Sequence, residues 1–239
     1  MPQITNGTQS GCSAYISGSR PISGPDGYMH MLYMWRQSPA AESCFRLCYA
    51  KSKDLKEWFN ISGKKLTLPI TPDNTDVIVD DSPVCSGLTN MMHFIGFDNE
   101  KRVILTYHKY SENGRSAIYN ARFENGKWKI TKSYEWTNWK WIFEGIGALP
   151  RPFMISPVYI DLSDDLCIDI EEYGRFRKKL ILDKNTLAVS DISDSDFLWQ
   201  NEYSSTNSPS LRVQWTKAEG ADNIFLRREC GENNNDRPV

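Results

Sequence analysis

Tyr107, His108 and Lys109 follow one another in "LTYHKYSENGRSAIYNARFENGKW", residues 105–128, and Arg122 comes further on in the same stretch. These side chains are the kinds that move protons and hold anions. Imidazole and phenol exchange protons, while guanidinium and ammonium neutralise a carboxylate. A tyrosine hydroxyl flanked by cations can act as base and then as acid, because nearby positive charge favours the phenolate. Alternation along a strand sends Tyr107 and Lys109 to one face and His108 and Tyr110 to the other. On the partner strand Tyr119, Ala121 and Phe123 alternate with Asn120 and Arg122. A hairpin through "SENG" (111–114) can set Tyr107 or His108 beside Arg122, depending on register.

The elements that must position these groups repeat with a period of two. "YMHMLYMW" (28–35), "FRLCYAKS" (45–52), "MMHFIGFD" (91–98), "RVILTYHKY" (102–110), "SAIYNARF" (116–123) and "KKLILD" (178–183) read as short strands. Turns such as "GPDG", "DNEK", "SENG", "ENG" and "DKNT" separate them, and no amphipathic helix of ordinary length is evident. "YAKSKDLKEW" (49–58) and "YNARFENGKW" (119–128) echo one another: strand, tight turn, then a Trp folded back on the hairpin. In the first, Ser52, Asp54 and Trp58 make a degenerate Asp-box without its usual glycine, a turn device of sialidase-like blades. "LRVQWTKAEGADNIFLRRE" reads as a last hairpin. The pattern predicts an all-β chain, a β-propeller of about four blades at ~40–60 residues each. One propeller domain is expected over 1–230, with a polar tail at 231–239.

Composition narrows the functional classes. The chain has 239 residues, 40% hydrophobic and 24% charged, with a net charge of −2. No overall basic field recruits nucleic acid or an anionic membrane, and no apolar run approaches the ~20 residues of a bilayer span. No signal peptide is evident at the N-terminus. No Gly-rich phosphate cradle, cofactor motif or metal-ligand set appears. The six cysteines read as small buried side chains, since only Cys44 and Cys48 lie close in sequence. His30 and His93 sit inside apolar strands and read as structural. Arg36 and Asn90 end or follow strands, where propeller pockets collect polar groups. "YEWTNWKWIFEGIG" (134–147) offers Trp faces for stacking on pyranose rings, although Trp139 and Trp141 fit an inter-blade core equally well. Glu144, Glu171 and Glu172 permit a glycosidase-like carboxylate pair.

Six stretches carry a family resemblance: "GPDGYMHMLYMWR", "LCYAKSKDLKEW", "LTLPIT", "VIVDDSPVCSGLTN", the 105–130 stretch and "YEWTNWKWIFEGIG", with a weaker match at "EEYGRFRKKLILDKNTL". In order they cover most of residues 13–190. The chain resembles the BNR-repeat propellers that include the ulvan lyases of polysaccharide lyase families 24 and 25, with related rhamnosidase-type glycosidases. Those proteins are near twice this length, seven-bladed and exported, so this chain would correspond to their middle and C-terminal blades. The resemblance implies a partner polysaccharide containing uronic acid, and β-elimination as the reaction. Elimination needs a cation on the uronate carboxylate, a base for the C5 proton and an acid for the leaving O4. Carried over by position, Tyr107 matches the catalytic tyrosine, Arg122 the carboxylate-neutralising arginine, and Tyr173 another aromatic hydroxyl near the sugar. His108 would assist, and Arg36, Asn90, Lys109 and Tyr119 would contact substrate. Two family histidines are missing here: Phe45 stands in place of one, and Ser17 and Ser19 follow Ala14-Tyr15 where another is usual. A non-catalytic carbohydrate-binding propeller and a rhamnosidase-type hydrolase therefore stand beside the lyase.

Overall fold

Strands form wherever apolar side chains alternate or run continuously, and the continuous runs are those buried on both faces. β1 (Ser13–Ile16), β2 (Ile22–Ser23), β3 (Met29–Arg36), β4 (Cys44–Ser52) and β5 (Ile78–Asp80) make a first antiparallel sheet ordered β1-β3-β4-β5, with β2 also on β3. β6 (His93–Phe97), β7 (Val103–Tyr110), β8 (Ser116–Glu124) and β9 (Lys127–Glu135) follow as a four-stranded meander. β10 (Phe153–Ile155), β11 (Tyr159–Ile160), β12 (Leu166–Glu172), β13 (Phe176–Leu182) and β14 (Val189–Asp194) make the third sheet, ordered β10-β12-β13-β14 with β11 on β12. This computed structural model describes residues 3–172, 176–194, 211–217 and 225–231. Helix among them is confined to single 3-10 turns, and no helix is long and apolar enough to cross a membrane.

The chain divides into two compact units, Met1–Ser193 and Asp194–Val239. The second contains the hairpin β15 (Leu211–Lys217) and β16 (Phe225–Gly231). Gly231 thus ends a strand, and the rest of the expected tail, 232–239, lies outside the described residues. The fold class is all-β, and the sequential antiparallel meanders of the first unit are propeller blades.

Packing explains the apolar runs. In β3, Leu32 and Met34 join the core shared with the second and third sheets, while Met31, Tyr33 and Trp35 enter a separate core behind the first sheet. That rear core is closed by Trp58, Leu66, Ile70 and Val77 from the 53–77 connection. The N-terminal segment ties onto it through Asn6 N–H to Ile70 O at 2.8 Å. Each fully buried large side chain contributes about 1.5–3 kcal/mol relative to exposure. The second and third sheets come close at Gly96, where a Cβ would lie 2.2 Å from the Val158 carbonyl oxygen.

Candidate functional site

The β7–β8 register decides which of the proton- and anion-handling groups meet. The turn takes five residues rather than the four of "SENG". Ser111 N–H donates to Arg115 O and Gly114 N–H to Ser111 O, both at 2.8 Å. Tyr107 therefore pairs with Tyr119, His108 with Ile118, and Ile104 with Arg122. A one-residue change of register flips every side chain to the other face. The longer turn thus puts Tyr107, Lys109 and Tyr119 on the face toward the first sheet and His108 and Arg122 on the face toward the third. Tyr107 and Arg122 are not brought together.

Each group has a structural partner. Tyr107 is fully buried and its hydroxyl donates to Asp80 Oδ2 at 2.5 Å. Burial, then the Asp80 charge, hold this phenol well above its ordinary range, so it keeps its proton. Lys109 donates to the same Oδ2 at 2.7 Å and to Ser82 Oγ at 3.2 Å, with its ammonium 4.8 Å from the Tyr119 ring centre. Ser82 donates to Asp80 Oδ1 at 2.6 Å. Tyr119 stacks on Tyr107 at 5.8 Å and is pushed up to about 12, chiefly by burial. Asp80, at the end of β5, thus gathers three donors.

On the opposite face His108 is fully buried against Trp141 and Phe153, with Nδ1–H donating to Gly87 O at 3.1 Å. Burial pushes it down to about 3, so it is neutral. Arg122, 3% exposed, donates to Glu124 at 2.6 Å, Lys184 O at 2.7 Å, Asn185 O at 2.9 Å and Asp98 at 3.4 Å. It fastens the β13–β14 turn to β8 and has no free fork for a substrate carboxylate. Tyr173 lies outside the described residues. Trp136, Trp141 and Phe143 are core, with Trp139 half-buried beside Trp136 and Phe153. Glu172 accepts from Trp136 Nε1. Cys12, Cys44, Cys48 and Cys167 are buried free thiols, with Cys48 pushed up to about 12 by burial. Among the described residues no group of three His, Cys, Asp or Glu side chains stands together to hold a metal ion.

Arg36 is placed differently. It ends β3 opposite Ser13 of β1, at the wall of an open cleft of about 520 Å³ that Tyr15, Gln37, Ser38 and Ile146 also line. Its Nε donates to Ala40 O at 3.1 Å, Nη2 to Pro39 O, and Nη1 to the Tyr15 hydroxyl at 3.3 Å. The guanidinium stands 5.2 Å from the Tyr15 ring centre. Arg46, Arg102, Arg115 and Arg122 each have a carboxylate within salt-bridge distance, whereas no carboxylate of the described residues comes that close to Arg36, and the Glu42 charge acts on it only from further off. Among the described residues three of the five guanidinium N–H groups are engaged, which leaves two for a ligand. Asn90 lies nearby in the turn before β6, its backbone N–H toward Cys44 at the Arg36 end of β4. The sequence marks Arg36, and marks the 134–147 stretch for its Trp faces and Glu144, but not Tyr15, Gln37 or Ile146 as cleft residues, because these reach the cleft from β1 and from two irregular connections.

The model of the BNR repeat-containing family matches residues 2–136. No curated protein matches the chain by sequence. A solved polysaccharide lyase of family 25, an ulvan lyase, is 11% identical with TM-score 0.41, covering 72% of this chain and 42% of its own. A GH43 endo-arabinanase from Bacillus licheniformis is 14% identical with TM-score 0.44, covering 95% and 73%. A fructan 1-exohydrolase IIa from Cichorium intybus is 12% identical with TM-score 0.40, covering 76% and 32%. The chain spans less than half the length of the ulvan lyase structures it is similar to.

Proposed function

Because the chain belongs to the BNR repeat-containing family, we propose that it is carbohydrate-active and binds a uronate-containing polysaccharide in the Arg36 cleft. One observation carries this reading: a guanidinium held in place by two carbonyls and a tyrosine ring, with no carboxylate of the described residues within salt-bridge distance, at the wall of an open cleft. A planar fork of this kind suits a carboxylate, and the pre-paid ordering of the side chain lowers the entropy lost on binding. The cleft volume falls in the range of ligand sites, about 300–1,000 Å³.

The Tyr15–Arg36 contact favours a finer reading, uronate elimination at this cleft. It pairs a phenol oxygen with a cation, as elimination requires, whereas Tyr107 is buried and bonded to Asp80. In that reading Arg36 neutralises the carboxylate and the Tyr15 oxygen, as the phenolate, takes the C5 proton. The C4–O4 bond breaks as the C4=C5 bond forms, and the Tyr15 hydroxyl returns that proton to the leaving O4.

The test mixes the protein with an oligosaccharide of the repeat -[GlcA(1-4)Rha3S]-, followed by calorimetry and by absorbance of the unsaturated product. Saturable binding that Arg36→Ala weakens tenfold or more, about 1.4 kcal/mol, supports the cleft. Growing absorbance lost in Tyr15→Phe supports elimination as well. Binding that Arg36→Ala leaves intact sinks the assignment.

A further inference from the structure

Between β9 and β10 the chain runs through residues 136–152 without entering a sheet or helix. Ordered connections longer than about 12–15 residues are uncommon in compact domains and are usually binding loops or lids. The first half is built into the core. Trp136, Trp141 and Phe143 are buried, and the Tyr110 hydroxyl donates to Trp141 O at 2.7 Å while accepting from Phe143 N–H at 3.1 Å. The chain then emerges, with Glu144, Gly145, Ile146 and Gly147 all exposed.

This tip is carried from the second sheet to the β3–β4 connection of the first. Ile146 forms an isolated antiparallel bridge with Ala40. Ala41 N–H donates to Gly145 O at 2.8 Å, and Gly145 N–H donates to Glu42 Oε2 at 2.9 Å. Gly145 and Gly147 take φ of 102° and 93°, which residues with a Cβ adopt only under strain. They bracket Ile146, whose side chain is 72% exposed although it lines the cleft with Tyr15 and Arg36. This apolar side chain is held outward at the cleft, between two glycines and beside the Glu42 carboxylate that fixes Gly145.

We infer that residues 144–147 form a latched strap at the Arg36 cleft, in which Ile146 is a specificity-determining wall for the C–H face of a bound sugar ring and release of the strap's bonds to Ala40, Ala41 and Glu42, the Glu42–Gly145 bond first, widens the cleft for the ligand. This rests on the polysaccharide reading of the cleft. Hydrogen bonds open to solvent contribute little individually, so the latch can release without disturbing the buried half of the connection.

The experiment combines amide hydrogen exchange of residues 144–147 with binding kinetics of the -[GlcA(1-4)Rha3S]- oligosaccharide, on wild type, Glu42→Ala, Ile146→Ser and Arg36→Ala. Glu42→Ala is expected to speed exchange at the strap about tenfold and to raise both association and dissociation rates. Ile146→Ser is expected to weaken binding about fivefold through faster dissociation, leaving exchange unchanged. Exchange unaffected by Glu42→Ala overturns the latch. Rates unaffected by both strap variants, with binding still lost in Arg36→Ala, overturn the strap and leave the cleft standing. Absence of wild-type binding overturns the cleft reading and the strap with it.

Discussion

Asp80 shows at the scale of one residue how a side chain acquires a role that its neighbours in sequence do not announce. It accepts from the Tyr107 hydroxyl, the Lys109 ammonium and Ser82 Oγ, and the first two come from another sheet. Replacing it by Ala would leave a buried phenol without an acceptor and a mostly buried ammonium without its counter-charge, with only Ser82 Oγ at 3.2 Å left to accept from it. Removing one member of a fully buried ion pair costs about 3–5 kcal/mol, and Lys109 retains 20% side-chain exposure, so about 2–3 kcal/mol is expected for Asp80→Ala. Tyr107→Phe removes a single donor and should cost about 1 kcal/mol. Urea unfolding of the two variants gives the comparison. Equal costs would mean that Tyr107, not the carboxylate, organises the cluster. The strand alternation of Tyr107 and Lys109 was legible in the sequence. Their partner was not, because nothing in "VIVDDSP" says which neighbouring sheet it will face.

Among the elements, the hairpins were the most legible part and the turn lengths the least. β3, β4, β7 and β8 lie where the alternating runs predict them, within a residue or two at each end. β9 is not evident in the sequence because polar side chains stand on both of its faces, Lys129 and Thr131 on one and Lys132 on the other, so "KWKITKSYE" carries little period-two signal. The two echoed Trp turns also separate. At 49–58 the chain makes an Asp-box: Ser52 Oγ accepts from Leu55 N–H at 2.9 Å and donates to Glu57 O at 2.6 Å, while Asp54 accepts from Lys56 and Glu57 N–H at 2.9 Å. Leu55 takes the φ of 60° at which glycine is usual. At 119–128 the connection is a two-residue turn with Asn125 and Gly126 at φ of 51° and 81°, and Trp128 packs on Phe123 and on Tyr49 of the first sheet. Trp58, fully buried in the rear core, is the plug of the first turn. Trp58→Ala should cost about 3–5 kcal/mol. Ser52→Ala, which leaves the part-buried Leu55 amide and the Glu57 carbonyl without their hydroxyl, should cost about 1 kcal/mol. Chemical denaturation would distinguish a plug from a passive surface turn, for which both losses would stay within about 0.5 kcal/mol.

The whole first unit carries a consequence that no single hairpin has. All three histidines of the chain are buried at sheet interfaces. His108 is pushed down to about 3 and His93 to about 4 by burial, and His30 is lowered for the same reason despite Asp26 beside it. Burial keeps His30 neutral, with the Tyr49 hydroxyl donating to Nδ1 at 2.5 Å; Nε2–H donates to Asp26 Oδ1 at 2.9 Å, a contact that by itself favours the charged ring. In the unfolded chain a histidine binds its proton near pH 6.5, whereas His93 and His108 in the folded state do not until about pH 4 or below. The unfolded state therefore holds more protons throughout that window, so stability falls as pH falls from about 6.5. Each excluded proton contributes a slope approaching 1.4 kcal/mol per pH unit, and His93 and His108 together should remove about 4 kcal/mol between pH 7 and pH 5. Carboxylates with lowered values, such as Asp26 and Glu135, add a loss of the same sign that falls mainly below about pH 5, where the unfolded carboxyls take up protons. Urea unfolding at a series of pH values should show the loss, and His108→Gln should flatten the slope by about one proton. A stability flat from pH 7 to pH 5 would mean that the sheet interfaces admit a charged imidazole, and hence that the blades separate more readily than their buried aromatic contacts imply.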